Sequence, residues 1–574
     1  MEPTRISLRA RRATMFVTVA AAAALVIPSA ASAAVTGTTT GDTATLTGDA
    51  SADNIVIGVT GANLSHNLGT ASGFNSPIDF NSAVALDQVL TAAAGTLTIN
   101  GGDGADNIVG SRNVDHLIGG AGSDRITGFT GGDDVDGGLG NDLMIWNNGD
   151  GNDTNDGEDG VDETQINGRN TTDDATVTNI AGGRVLFDRV APGPFNVDMA
   201  TVERLTINTQ AGDDKLVTGP GVTLPMTIDA GPGLDDITAG DAGDVVQGGE
   251  GVDTLNAGAG GDRLVGNPGN DVMNAGPGDD TLVWNNGDGT DDMNGQDGLD
   301  RIENNLGAAD DVSQVKVLNG KVRYDRVNAP FGLNIATSEV LELNTFGGND
   351  TLDVQPGVGA LIAIVADAGS GNDRFNGGDE NDTFFGGLGD DQLEPGAGFD
   401  SVDGQDGNDR LLVRDNTGDL ARGGAGTDSA VADASDVLAE IESADVTPAA
   451  DTRATALRVI SKRISSKLRR GRYTARVRVE CPAVETGGCK GTLSLLTAKS
   501  IRIRGVKVPS ALLVSKRYTL RPGQRRTLAM KLPLGVGRIA DGKRRLSLRA
   551  QSISRDAAGN VATRASKLTV KLVK

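Results

Sequence analysis

The chain has 574 residues, 82 of them glycine and only 3% aromatic, which excludes a conventional aromatic-rich core. Two histidines (His66, His116) and two cysteines (Cys481, Cys489) exclude a histidine-rich metal site, a cysteine-dense scaffold and most histidine-based catalytic centres. The net charge of −25 conceals an asymmetry of −54 over residues 34–450, +26 over 451–574 and +3 over 1–33, so the two large regions have different partners or pair with each other.

At the N-terminus Arg5, Arg9, Arg11 and Arg12 precede a mostly apolar run, Met15 to Ile27, and Ala31-Ser32-Ala33 fits a small-residue cleavage site. The run is too short to span a bilayer. Residues 1–33 therefore read as a signal peptide, and the mature chain is expected to be secreted, extracellular or at the cell surface, with no membrane span. Residues 34–100 read as a degenerate β segment.

From residue 101 a nine-residue period sets in, as in GGDGADNIV (101–109), GGAGSDRIT (119–127) and GGLGNDLMI (137–145). The sixth residues are Asp106, Asp115, Asp124, Asp133 and Asp142. At Trp146 two residues are inserted, and the register resumes with Asp153 and Asp162, completing a first array over 101–165. Residues 166–229 alternate apolar and polar positions as strands do and carry an isolated repeat with Asp214. The second array, 230–303, places Asp235, Asp244, Asp253, Asp262, Asp271 and Asp280 at the sixth position. After the same insertion at Trp284 it adds Asp291 and Asp300. A second strand-like segment, 304–367, carries Asp350. The third array, 368–431, has Asp373, Asp382, Asp391, Asp400 and Asp409, and Asp428 after a slip of one residue. A linker, 432–450, follows.

Each position of the unit has a physical task. Glycines at positions 1, 2 and 4 allow positive φ and let carbonyls crowd together. Position 8 is apolar throughout, for example Ile108, Ile126, Leu255, Met273, Phe375 and Leu411. A single unit buries nothing, but stacked units form a thin continuous core. Rows of aspartates repel unless a cation lies between them. Ca²⁺, which takes 6–8 oxygen ligands including carbonyls, suits such turns better than Mg²⁺, which demands stricter octahedral geometry. The scarcity of Cys and His disfavours Zn²⁺. A solvated acidic linker would not keep position 8 apolar through three arrays, and no G-K-[ST] follows the glycines to make a phosphate loop.

These units resemble the RTX, or haemolysin-type, calcium-binding nonapeptide family, whose pattern is G-G-x-G-x-D-x-U-x. The resemblance implies a parallel β-roll with two nonapeptides per coil, in which the sixth-position aspartates and turn carbonyls of adjacent coils share each Ca²⁺. It carries over to every sixth-position aspartate named above, less fully at Asp115 and Asp244, where the repeat is degraded, and least at Asp53. The chain departs from many family members in its N-terminal signal, its basic C-terminus and its lack of an attached catalytic domain.

Residues 451–574 alternate as strands in ARVRVEC (475–481), GTLSLLTA (491–498) and SKLTVKLV (566–573), separated by turn signals. They read as a small basic β-sandwich, which looks like the immunoglobulin-like domains appended to bacterial surface proteins. Exported cysteines usually pair, so a local Cys481–Cys489 disulfide is expected. Export and the absence of interleaved aromatics count against nucleic acid as a partner. Solvated strand faces, anionic cell-wall or matrix polymers, and the chain's own acidic repeats all remain open as the setting for the basic charge.

Trp146 and Trp284 could stack on sugars or pack at a break in the roll. Together these features predict an all-β chain, a parallel β-roll or β-helix solenoid in three arrays followed by a small β-sandwich. The expected function is that of a secreted, non-enzymatic Ca²⁺-binding protein with a structural or adhesive role. The competing class is a Ca²⁺-dependent β-solenoid enzyme acting on acidic polysaccharide.

Overall fold

The computed structural model describes residues 36–66, 96–447 and 458–573, apart from positions 330 and 380 and short gaps within the first and last of these ranges. The leader expected at 1–33 and the loop between the two cysteines lie outside the described residues. The chain is all-β; the helical exception among the described residues is one 3-10 turn, Val358–Ala360. No helix among them is long and apolar enough to cross a membrane.

The described residues between 36 and 447 wind into a parallel β-roll of two long sheets. Short strands alternate between the sheets, because each nonapeptide is a turn of six residues followed by three extended ones. Two nonapeptides make one coil, so strand partners differ by 18 residues. Ile237 pairs with Leu255 and Leu255 with Met273 in one sheet, while Val246, Leu264 and Leu282 align in the other. At each tryptophan insertion the offset becomes 20, as in Met273 with Met293.

The position-8 residues point inward. Ile108, Leu117, Val246, Leu255, Phe384 and Leu411 are all fully buried. One apolar cluster runs from Trp146 to Ala432, and a second, from Ala44 to Met144, adjoins it through Val202. A residue buried at each strand centre contributes about 1.5–3 kcal/mol, so stability is spread thinly along the coils.

The ladders run on through 166–229 and 304–367. In one sheet Glu163–Asn167, Arg204–Asn208 and Met226–Asp229 pair in parallel. In the other the chain makes an antiparallel meander, Asp174–Ile180, Arg184–Ala191 and Phe195–Ala200, and the outer two of these strands rejoin the parallel ladder on either side. The same meander recurs at Val312–Leu318, Lys321–Arg326 and Phe331–Ala336. Trp146 stacks on Phe195 with ring centroids 3.6 Å apart, and Trp284 on Phe331 at 3.9 Å. Both indoles are buried and donate to backbone carbonyls, of Gly151 and Gly289. They pack at the breaks and offer no face to a sugar.

The described residues between 458 and 573 form a β-sandwich with its own core. Arg458–Val459, Arg472–Glu480 and Arg525–Lys531 make one sheet. The other runs in the order Arg463–Arg469, Val561–Val573, Arg545–Arg555, Cys489–Thr497, Leu512–Leu520, and is joined to the first where Leu468 and Arg469 pair with Tyr473 and Arg472. Val477, Leu493, Leu495, Leu548 and Val570 fill the space between them. Cys481 and Cys489 form a disulfide with Cα atoms 5.7 Å apart.

Candidate metal centre

All the sixth-position aspartates predicted from the sequence are buried; the most exposed, Asp153, is 5% exposed. Each sits immediately before a strand of three to seven residues, except Asp153, which opens the strand Asp153–Gly160. The 18-residue coil therefore stacks them in two rows, one at the turns entering each sheet.

Within a row each aspartate binds the next. The amide of Asp106 donates to Oδ1 of Asp124 at 2.7 Å, and Asp124 to Asp142 at 2.8 Å. The same link joins Asp235 to Asp253, Asp253 to Asp271, Asp373 to Asp391 and Asp391 to Asp409. The backbone carbonyl of each aspartate is also occupied, by a strand amide one coil later, as Val272 donates to Asp253. Oδ1 is thus satisfied. Oδ2 is not: in Asp106, Asp124, Asp142, Asp235, Asp253, Asp271, Asp373, Asp391 and Asp409, among others, it is buried with no hydrogen-bond partner among the described residues. A buried acceptor left unpaired costs about 1–3 kcal/mol, more when charged, so a periodic set of them calls for a ligand.

The surroundings of Oδ2 fit a hard cation. A Cβ placed on Gly386, at position 1, would lie 2.5 Å from Oδ2 of Asp391 and 2.6 Å from the carbonyl oxygen of Gly404 one coil later. The orphan carboxylate oxygen and a backbone carbonyl therefore converge on ground that only glycine leaves open. Among the described residues no three His, Cys, Asp or Glu side chains could hold a metal ion together. A cation here must draw on backbone carbonyls, which suits Ca²⁺ and its 6–8 oxygens.

The electrostatics agree. Burial raises the carboxyls, opposed by the backbone hydrogen bond and reinforced by neighbouring aspartates. Asp133, Asp291 and Asp300 are pushed up to about 8, and Asp106, Asp235, Asp271, Asp373 and Asp391 to about 7. Two stacked carboxylates without a counter-ion resist ionising.

Not every predicted aspartate offers a free oxygen. Oδ2 of Asp115, Asp244 and Asp382 takes a backbone amide, from Ser111, Gly240 and Gly378 respectively. The first two belong to the repeats already marked as degraded. Conversely, the rows include members outside the nine-residue count. Asp53 donates to Asp106, Asp173 to Asp214, Asp311 to Asp350, and Asp400 to Asp419. Three glutamates end rows with their longer side chains: Glu203 accepts from Asp162, Glu339 from Asp300 and Glu442 from Asp428.

A family profile described as "RTX calcium-binding nonapeptide repeat (4 copies)" matches residues 109–144, 229–264, 247–282, 365–393 and 396–413. No curated protein matches the chain. Among solved structures, the crystal structure of Spo0M, a sporulation control protein from Bacillus subtilis, aligns with 12% identity over 20% of this chain and 47% of that one. Its TM-score of 0.14 carries no argument about fold. The matched segments fall inside the coils whose buried aspartate rows are described above, and the chain therefore carries RTX calcium-binding nonapeptide repeats wound into a parallel β-roll.

Proposed function

We propose that this is a secreted, non-enzymatic calcium-binding protein whose roll folds on Ca²⁺ outside the cell and serves a structural or adhesive role. The observation that carries the reading is the periodic array of buried Oδ2 atoms facing backbone carbonyls. Position-6 aspartates and the turn carbonyls would hold Ca²⁺ between coils. Bound there, the cation supplies the positive charge that lets two rows of carboxylates ionise inside a stacked fold. Its binding free energy is then folding free energy. Against a polysaccharide-cleaving enzyme stands the engagement of arginines on the roll. Arg301 pairs with Glu303 and Glu342, Arg323 with Asp325, and Arg422 with Asp403 and Glu440.

We propose further that the C-terminal sandwich binds anionic cell-wall or matrix polymers. Its first two strands divide between the sheets, and Arg463–Arg469 pairs in parallel with the last strand, an order that favours an immunoglobulin-like module. Arg549 and Lys567 are direct cross-strand partners on its exposed face. Like charges placed opposite each other are destabilising, and an anionic polymer would relieve them.

Calcium titration of the full secreted chain, by calorimetry and far-UV circular dichroism from a chelated start, tests the reading. Gain of β signal and compaction on calcium addition is the expected result. A metal-free chain already compact and β-rich, with no heat of calcium binding, would overturn it.

A further inference from the structure

The aspartate rows are interrupted twice, and both interruptions are built alike. Where each antiparallel meander enters the sheet, one row restarts, at Asp173 and at Asp311. In an ordinary coil the strand before the restart would bring another aspartate amide. Here the preceding strand runs backwards, and it brings an arginine. Arg189 is opposite Ala175 in register, and Arg326 opposite Ser313, which sets each guanidinium beside the carboxylate at the strand start.

Arg189 Nη1 lies 3.3 Å from Asp173 Oδ1, with the two side chains 7% and 4% exposed. It also donates to Asn148 at 2.8 Å, and Nε and Nη2 donate to the carbonyl of Gly193. Its guanidinium carbon stands 4.2 Å from the Phe195 ring centroid. Arg326 gives Nε and Nη2 to Asp311 Oδ1 and Nη1 to Asn286 at 2.7 Å, beside Phe331. Asn148 and Asn286 hold equivalent places in the two W-N-N-G-D insertions. Each guanidinium thus takes Oδ1, the oxygen that an aspartate amide holds in the regular coils, and sets a full positive charge beside the carboxylate, while Oδ2 of Asp311 stays without a partner among the described residues.

We infer that Arg189 and Arg326 are tethered cations that hold the first carboxylate of a row at Oδ1, where an aspartate amide stands elsewhere, and neutralise it without metal. The two junctions hold their meanders folded when calcium is withdrawn. The roll then responds to calcium as three segments separated by two metal-independent clamps. This rests on the calcium reading of the regular coils.

Hydrogen–deuterium exchange of the full chain, with chelator and with calcium, tests it. In chelator, peptides covering 174–200 and 312–336 should exchange at least about tenfold more slowly than coil peptides within 236–282, since a retained buried ion pair resists opening. Arg326→Gln should remove that protection from 312–336 in chelator and leave 174–200 unchanged, whereas Arg326→Lys, which keeps the charge, should retain part of it. Meander peptides that exchange as fast as coil peptides in the unsubstituted chain, or an Arg326→Gln chain with unchanged protection at 312–336, would overturn the inference. Should Arg326→Gln fail to fold even in calcium, the unsubstituted chain and Arg326→Lys decide. Coil peptides equally protected with and without calcium would instead remove the calcium reading, and Arg326→Gln against the unsubstituted chain in chelator would still decide the role of the arginine.

Discussion

The amide of Asp253 donates to Oδ1 of Asp271, one full coil later, at 2.8 Å, while Oδ2 of Asp271 stays buried without a partner among the described residues. One carboxylate oxygen thus belongs to the fold and the other is left for a ligand. Asparagine could keep the first role, since its carbonyl oxygen still accepts, but its amide group cannot serve a cation.

The triple substitution Asp253→Asn, Asp262→Asn, Asp271→Asn should therefore raise the calcium midpoint of the second array by about tenfold or more. Hydrogen bonds and contacts to a charged group are worth about 1.5–3 kcal/mol each, and about 1.4 kcal/mol is a decade in affinity. Asparagine at Asp241, Asp292 and Asp297, which are exposed, should move it far less. Circular dichroism across a calcium series reads both; equal shifts in the two triple variants would remove position 6 from the site.

The metal-free roll should grow less stable as pH rises. Asp106, Asp235 and Asp271 are raised from an ordinary 3.8 to about 7, and Asp133, Asp291 and Asp300 to about 8, mainly by burial. A carboxyl whose folded pKa is raised contributes stability that is complete below its unfolded value and is lost as pH climbs through the folded one. Calcium-stripped protein should hence show more β signal and a higher melting temperature near pH 5 than near pH 8.5. With calcium the order reverses, because protons compete for the same oxygens. Metal-free stability that is flat or rises over this range would contradict the sign.

Gly120 and Gly182 offer a matched pair. Both have positive φ, +109° and +88°, but a Cβ on Gly120 would collide with the carbonyl of Gly102 in the neighbouring coil, whereas one on Gly182 meets nothing within 4 Å. Gly182→Ala should cost only the left-handed strain, about 1–2 kcal/mol, and Gly120→Ala distinctly more. Denaturant unfolding in saturating calcium measures both, and equal losses would mean that coil stacking does not enforce position 2.

Arg549→Glu with Lys567→Glu should weaken binding of the full chain to a uronate polymer. The attraction should also fade between about 0.01 M and about 1 M salt, as the Debye length shrinks from about 30 to about 3 Å. Unchanged retention on an anionic column would make this face merely solvated.

The rows, the inward residues and the coil height were legible in the sequence because each follows from one fixed spacing. A nine-residue unit puts Asp253 and Asp271 two units apart wherever the solenoid winds regularly, and Leu255 beneath Met273 by the same count. The burial of Trp146 and Trp284 was legible as one of two alternatives, and the stacked Phe195 and Phe331 decide it.

Asp173, Asp311 and Asp419 were not legible as row members. Asp173 and Asp311 reach their neighbours across 41 and 39 residues, around a meander that breaks the period. A trace existed in D-R-V, at 188–190 and again at 325–327, but nothing in that tripeptide names its partner. Local repetition by itself determined a roll with carboxylates in rows, because each unit touches only its neighbours. The tertiary structure alone decided where the rows stop and that an arginine closes them, because a reversed strand brings together residues that no period relates.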